Sequence, residues 1–127
     1  MKIVNPASLP SPRGYNNGIL LNGVLFIAGQ IGWNEKGVLE AGLVRQFEQA
    51  LVNIMEIVLS AGGNVQQIGR FTIFVKDKNE YRNKQKEIGE AYRRRMGKHF
   101  PAMSLVVVKD LLEEGALVEI EATAVLS

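Results

Sequence analysis

The sequence of 127 residues contains no cysteine and a single histidine, His99. The absence of thiols excludes disulfides, thiolate catalysis and cysteine-ligated zinc or iron–sulfur centres. One imidazole leaves no histidine pair for a metal site and makes a Ser-His-Asp triad a poor candidate. We therefore expect no bound metal.

Long apolar runs are also absent. No stretch is long enough to span a bilayer, and the N-terminal residues lack the hydrophobic segment of a secretion signal. These absences predict a cytoplasmic protein without a membrane partner.

The net charge is only +2, and the densest basic cluster is Arg93, Arg94 and Arg95. Nucleic-acid binders of this size usually carry more positive charge. We interpret the cluster as a solvated helix end that complements the helix dipole. A site for RNA or phosphate is the less favoured alternative.

With 46% hydrophobic and 22% charged residues, the composition is that of an ordinary globular protein. The length suffices for one hydrophobic core and is short for two. We predict a single domain over residues 1–127.

The first half of the sequence predicts a β-hairpin after an extended arm. Residues 1–15 carry three prolines, with a short strand predicted at 2–4. Ile19–Leu21 and Val24–Ala28 flank Asn22-Gly23, a dipeptide that suits a type I′ turn. The glycine-rich residues 29–37 are predicted to form a loop, and they lack the phosphate-binding glycine patterns.

Two amphipathic helices are predicted around one strand. Apolar residues recur at helical spacing over about 41–61, before Gly62-Gly63, and again over about 79–96, before Gly97. Asp77 and Glu80 resemble a capping box at the start of the second helix. Residues 65–76 are predicted to be a strand whose apolar face includes Gly69.

Residues 100–108 and 117–125 are predicted to be strands of one sheet. In the second run, apolar side chains alternate with Glu119, Glu121 and Thr123. One face of this strand therefore suits a position beneath helices, and the other presents carboxylates to a cavity or to solvent.

The order of these elements predicts an α+β protein with a mixed sheet and two helices on one face. Residues 105–108 are apolar on both faces of their strand, whereas helices on one side of a sheet cover only one face. We therefore expect a second subunit to cover the other face.

Motifs along nearly the whole chain resemble the reactive-intermediate deaminase (Rid, YjgF or L-PSP) family. They are Gly14-Tyr15, Ile27–Gly32, Gln46, Gln49–Asn53, Ala61–Gly63, Thr72–Asp77, Tyr81, Phe100–Ala102 and Val118–Ala122.

The resemblance implies a chorismate-mutase-like (YjgF-like) fold and a homotrimer with small-molecule clefts between subunits. Archetypal members of the family hydrolyse imines and enamines such as 2-iminobutyrate to 2-keto acids and ammonia without a cofactor.

Carried onto this sequence, the resemblance implies that Glu119 positions or activates water. Tyr15 is placed at the cleft mouth, and Gly29, Gln30 and Ile31 along the wall. The alternative for Glu119 is a strand carboxylate paired with a neighbouring basic side chain.

The sequence departs from the family at Met103, where active members carry an arginine that binds the substrate carboxylate. Leu105, two residues later, also makes this part of the predicted site more apolar. Arg13 is a candidate replacement cation, although an exposed arm residue is the simpler interpretation.

Three functions remain open at this point. The favoured one is a trimeric imine or enamine deaminase with altered or weak activity, because methionine cannot bind a carboxylate. The second is a non-catalytic trimer that binds a small metabolite. The third is a ribonuclease or translation inhibitor, which the single histidine disfavours.

Overall fold

The computed structural model describes residues 1–126, which form a six-stranded mixed sheet with helices against one face. The strands are β1 (Lys2–Val4), β2 (Gly18–Leu21), β3 (Val24–Ile31), β4 (Ile68–Val75), β5 (Ala102–Val107) and β6 (Val118–Val125). The helices are α1 (Leu43–Ser60), α2 (Lys78–Asn83) and α3 (Gln85–Met96). Within residues 1–126 the strand order is β1-β2-β3-β6-β4-β5, and only β4 and β5 pair in parallel. The predicted α+β class is confirmed.

The predicted hairpin is β2 and β3. Asn22 and Gly23 have φ of 48° and 79°, as a type I′ turn requires. However, β3 continues to Ile31, so Gly29–Ile31 is strand and not the predicted loop. Pairing with β6, in which Gln30 faces Ile120 and Ile31 faces Glu119, gives these residues sheet partners.

The core lies between the helices and the face of the sheet on which β6 presents its small apolar residues. Phe47 and Ile54 of α1 meet this face, and Phe71 and Ile120 are fully buried in it. The alternation in β6 therefore predicted correctly which side of the sheet is covered.

The predicted second helix is two helices. Asp77 caps α2, since its Oδ1 accepts a hydrogen bond from Glu80 N at 3.0 Å. Lys84 leaves helical geometry (φ −106°, ψ 12°), its N–H is shared between the carbonyls of Glu80 and Tyr81, and α3 begins at Gln85. No proline or glycine marks this break.

The start of β4 also differs from the prediction. Val65–Gln67 form a 3₁₀ turn capped by Asn64, and the strand begins at Ile68. A shift of pairing register between Ile68 and Arg70 leaves Ile68 buried and Gly69 exposed. The prediction that Gly69 shares the apolar face was therefore wrong.

Strand β5 lies at the edge of the sheet, separated from β6 by β4. All six of its residues are exposed, including Met103, Leu105, Val106 and Val107 at 40–47%. We expected helices to cover one face, but at the edge neither face is buried. An apolar strand of this kind is uncovered in the single chain.

Candidate functional site

A cleft of about 320 Å³ opens on the face of the sheet that the helices leave free. Glu119 reaches it from β6, where it pairs with Ile31 of β3 and Phe74 of β4. The lining residues are Tyr15, Ala28, Gly29, Ile31, Trp33, Leu112, Glu113 and Glu119. Tyr15, Gly29, Ile31 and Glu119, all predicted from the sequence to act at one site, therefore lie together.

The Glu119 side chain occupies space that is free because Gly29 has no Cβ atom. A Cβ atom built at Gly29 would lie 2.8 Å from Cδ and 3.0 Å from Cγ of Glu119 and still closer to Oε2. Such approaches do not occur between unbonded atoms, so any larger residue would move the carboxylate. Glu119 pairs with Ile31, and a register shift between Ile27 and Gln30 interrupts the regular pairing at Gly29.

Gln30, predicted to contact the substrate, lies behind the wall of the cleft. It is 2% exposed, and its Nε2 donates to Asn17 Oδ1 at 3.1 Å and to Ala28 O at 3.2 Å. Asn17 N in turn donates to Asn5 Oδ1 at 2.8 Å. These bonds connect the arm that carries Tyr15 to β3, so Gln30 positions the cleft and does not line it.

Two amide side chains of α1 hold the loops on either side of the cleft, and the sequence interpretation assigned them no role. Asn53 Nδ2 donates to Ile31 O at 3.1 Å and to Trp33 O at 3.0 Å. Gln46 Nε2 donates to Gly115 O at 3.1 Å, and its Oε1 accepts from Leu117 N at 2.8 Å. Both residues are buried, 3% and 2% exposed for Gln46 and Asn53. Buried amides on the apolar face of an amphipathic helix were the signal available in the sequence.

Glu119 is partly buried and has no hydrogen-bond or ion-pair partner among residues 1–126. Desolvation, followed by the charge of Glu121, raises the pKa of the Glu119 carboxyl group. Within the part of the chain that the structure describes, the lining contains no lysine or arginine. The paired strand carboxylate considered from the sequence is therefore not the arrangement found in the chain.

Met103 and Leu105 lie elsewhere. Met103 pairs with Phe71 of β4, which pairs with Ala122 on the helix-covered face, whereas Glu119 points to the open face. Met103 lines a second cavity of about 220 Å³ between β5 and the helices. Leu105 follows on the same side of β5 and is 40% exposed. One chain therefore does not bring position 103 to Glu119.

The other candidates have simple surroundings. Arg13 is exposed and is not among the residues that line the Glu119 cleft. His99 Nε2 lies 2.8 Å from Ile68 O, and a carbonyl oxygen only accepts, so this nitrogen carries the proton of the bond. Within residues 1–126 no group of three potential ligands is placed to hold a metal ion. No helix in this range has the length and hydrophobicity needed to cross a membrane.

Comparison with known sequences matches residues 6–126 to the family model described as Endoribonuclease L-PSP. A curated relative, the RutC family protein slr0709 of Synechocystis sp., is 34% identical, with 99% of this chain and 97% of the relative covered. Another relative, from Capra hircus, is described as a 2-iminobutanoate/2-iminopropanoate deaminase. It is 30% identical, with 98% of this chain and 89% of the relative covered.

Solved structures show the same architecture. The YjgF gene product of E. coli is similar at a TM-score of 0.87 and 33% identity, with 100% of both chains covered. E. coli TdcF, solved with bound serine, is similar at a TM-score of 0.87 and 32% identity, again over 100% of both chains. The fold expected from the sequence motifs is confirmed by these similarities.

Proposed function

We propose a function for this chain on the basis of its family: it belongs to the L-PSP family, also called Rid or YjgF. The proposed function is the hydrolysis of reactive imines or enamines to carbonyl compounds and ammonia. The observation that carries the proposal is the Glu119 carboxyl group, held without a cationic partner against Gly29 in a cleft with apolar walls. Relatives described as 2-iminobutanoate/2-iminopropanoate deaminases support it.

The chemistry requires a group that moves protons between oxygen and nitrogen. Water adds to the carbon of the C=N bond, one proton leaves the water oxygen, and one proton reaches the nitrogen. The resulting carbinolamine then expels ammonia and forms the C=O bond. Because its pKa is raised, Glu119 can donate a proton to the imine nitrogen and recover one from the attacking water. An enamine enters the same route after protonation at carbon.

Substrate preference should depart from that of arginine-bearing relatives. Met103 cannot form the two parallel charge-assisted hydrogen bonds that arginine makes with a carboxylate. A hydrogen bond to a charged group contributes about 1.5–3 kcal/mol, so 2-imino acids should bind more weakly. We propose that the protein has altered or weak activity on 2-iminobutanoate.

The complete site is proposed to form between copies of the chain in a homotrimer. Exposed, apolar β5 supports this arrangement, because a second copy on this edge would remove it from water. Met103 of one copy would then approach Glu119 of the next copy. Within one chain the two residues cannot meet, because they lie on opposite faces of the sheet.

Replacement of Glu119 tests the reaction. We expect Glu119→Gln to lower kcat for imine hydrolysis about 10²- to 10⁴-fold, because the amide keeps the shape but cannot exchange the proton. Ammonia release from 2-iminobutanoate, generated in situ by an amino-acid oxidase, measures the rate above the uncatalysed reaction. Glu114→Gln is the matched control, since Glu114 is exposed and is not among the lining residues.

Two results would replace the proposal. If the natural protein does not accelerate hydrolysis but a 2-keto acid raises its melting temperature, it is a binding protein. Cleavage of single-stranded RNA that depends on Glu119 would support the name of the family model. We propose no such cleavage, because the only imidazole, His99, is bonded to the Ile68 carbonyl.

A further inference from the structure

The three consecutive arginines of α3 have different surroundings. Arg94 Nη2 and Arg95 Nε bind the Glu48 carboxylate on α1 at 2.8 Å and 2.9 Å. Arg93 has no acidic partner among residues 1–126 and lines the cavity that contains Met103. An exposed arginine therefore lines the cavity that contains Met103, the residue found where the family has arginine.

The helix surface beneath Arg93 is shaped for this position. Gln85, Gly89 and Arg93 are spaced by four residues, so they share one side of α3, and all three line the cavity. A Cβ atom at Gly89 would lie 3.3 Å from Nη1 of Arg93 and 3.9 Å from its Cζ. The guanidinium thus lies across the bare backbone of Gly89, where a larger side chain would compete for the space.

Two aromatic side chains, Phe100 and Tyr92, form another part of the cavity wall and hold each other in place. Phe100 stacks on Tyr92 with ring centroids 5.2 Å apart and planes inclined by 12°. Tyr92 is held in turn by its hydroxyl group, which donates to His99 O at 2.6 Å. A carboxylate that enters an apolar cavity of this kind requires a cation to offset its lost hydration. Among the described residues that line the cavity, Arg93 is the only arginine or lysine.

We propose that Arg93 binds the substrate carboxylate in place of the arginine missing at position 103. The carboxylate-binding group has then moved from strand β5 to helix α3, which lines the same cavity as Met103. This inference rests on the proposed function, in which the cavity of one copy faces Glu119 of the next.

Arg93→Gln provides the direct test. We expect it to weaken binding of 2-oxobutanoate, measured by calorimetry, about 10- to 100-fold, the range for loss of a hydrogen bond to a charged group. The KM for 2-iminobutanoate should rise by a similar factor, with a smaller change in kcat. Butan-2-imine, which lacks the carboxylate, should be hydrolysed at an unchanged rate. Arg93→Lys should lie between the two, because it keeps the charge without the planar fork.

Arg82→Gln is the matched control, because Arg82 is an exposed arginine of the neighbouring helix and does not line the cavity. It removes the same charge and should leave both measurements unchanged. Equal weakening by Arg82→Gln and Arg93→Gln would indicate a general effect of net charge and would overturn the assignment. Unchanged binding in Arg93→Gln would also overturn it.

A double-mutant cycle with Met103→Arg tests whether the two positions serve the same carboxylate. In the Met103→Arg protein, Arg93→Gln should reduce kcat/KM by about twofold or less, because the arginine at position 103 already binds the carboxylate. An equal effect of Arg93→Gln in both backgrounds would mean that Arg93 acts elsewhere.

Glu119→Gln separates this inference from the proposed reaction. If Glu119→Gln keeps the full rate while Arg93→Gln loses 2-oxobutanoate, the role of Glu119 is wrong and the carboxylate site stands. If the natural protein does not accelerate hydrolysis while Arg93→Gln loses 2-oxobutanoate, the reaction is wrong and the carboxylate site again stands. If Glu119→Gln is inactive while Arg93→Gln binds normally, the carboxylate site alone is wrong.

Discussion

The sharpest perturbation of the Glu119 cleft is the addition of one methyl group at Gly29. In Gly29→Ala the new Cβ atom would lie 2.8 Å from Cδ and 3.0 Å from Cγ of Glu119. Carbon atoms in contact are normally about 3.5–4.0 Å apart, so the carboxylate must move by about 1 Å. The backbone itself accepts alanine, because Gly29 is not among the glycines with positive φ.

The expected consequence is a loss of catalysis without a loss of folding. A displacement of about 1 Å from the productive geometry can cost about 10²-fold in rate. We therefore expect kcat for imine hydrolysis to fall about 100-fold. The melting temperature should change little, since alanine restricts the unfolded chain by about 0.4–1 kcal/mol, which offsets part of the strain.

Gly69→Ala is the matched control for this variant. Gly69 is also a strand glycine without positive φ, but a Cβ there would meet only Thr123 O, at 4.0 Å. It should retain the natural rate. Combining Gly29→Ala with Glu119→Gln should give no further loss beyond Glu119→Gln, because the methyl group acts through Glu119. A Gly29→Ala protein with unchanged kcat would refute the role of the Glu119 carboxylate at this wall.

Three further predictions concern assembly and pH. Light scattering should give three times the mass of one chain. Val106→Asp places a charge on the exposed apolar strand β5 and should reduce the measured mass to that of a monomer. A natural protein that is already monomeric would contradict a site formed between copies of the chain. Burial and, after it, the charge of Glu121 raise the pKa of Glu119, so Glu121→Gln should lower this pKa. The rate of hydrolysis, which declines as Glu119 ionises, should then decline at lower pH. Because the folded pKa is raised, ionisation of Glu119 lowers the free energy of unfolding as pH rises above 4.5. Glu119→Gln should therefore be more stable than the natural chain at neutral pH, with a difference that disappears below pH 4.5 in urea titrations.

Local sequence patterns were sufficient for much of the architecture. The alternation in residues 117–125 identified the covered face of β6 and the open face that carries Glu119. Asn22-Gly23 predicted the hairpin, and helical spacing predicted α1. These features depend on neighbours within a few residues, so the chain itself displays them.

Features that depend on distant partners were missed. The break at Lys84 has no local marker, and the register shifts at Gly29 and Gly69 appear only when β6 pairs with β3 and β4. The buried amides Gln46 and Asn53 were visible as polar residues on an apolar helix face, but their carbonyl partners, in β3 for Asn53 and in the loop before β6 for Gln46, are remote in the sequence.

The sequence by itself therefore determined the family, the class of fold, the open face of β6 and the unusual residue at position 103. Only the tertiary structure decided that Met103 lies on the opposite face from Glu119, that Gly29 leaves room for the carboxylate, and that Arg93 shares the cavity of Met103. The reason is that strand order and register are set by contacts between segments far apart in the chain, and a single-residue change of register reverses the face that a side chain occupies.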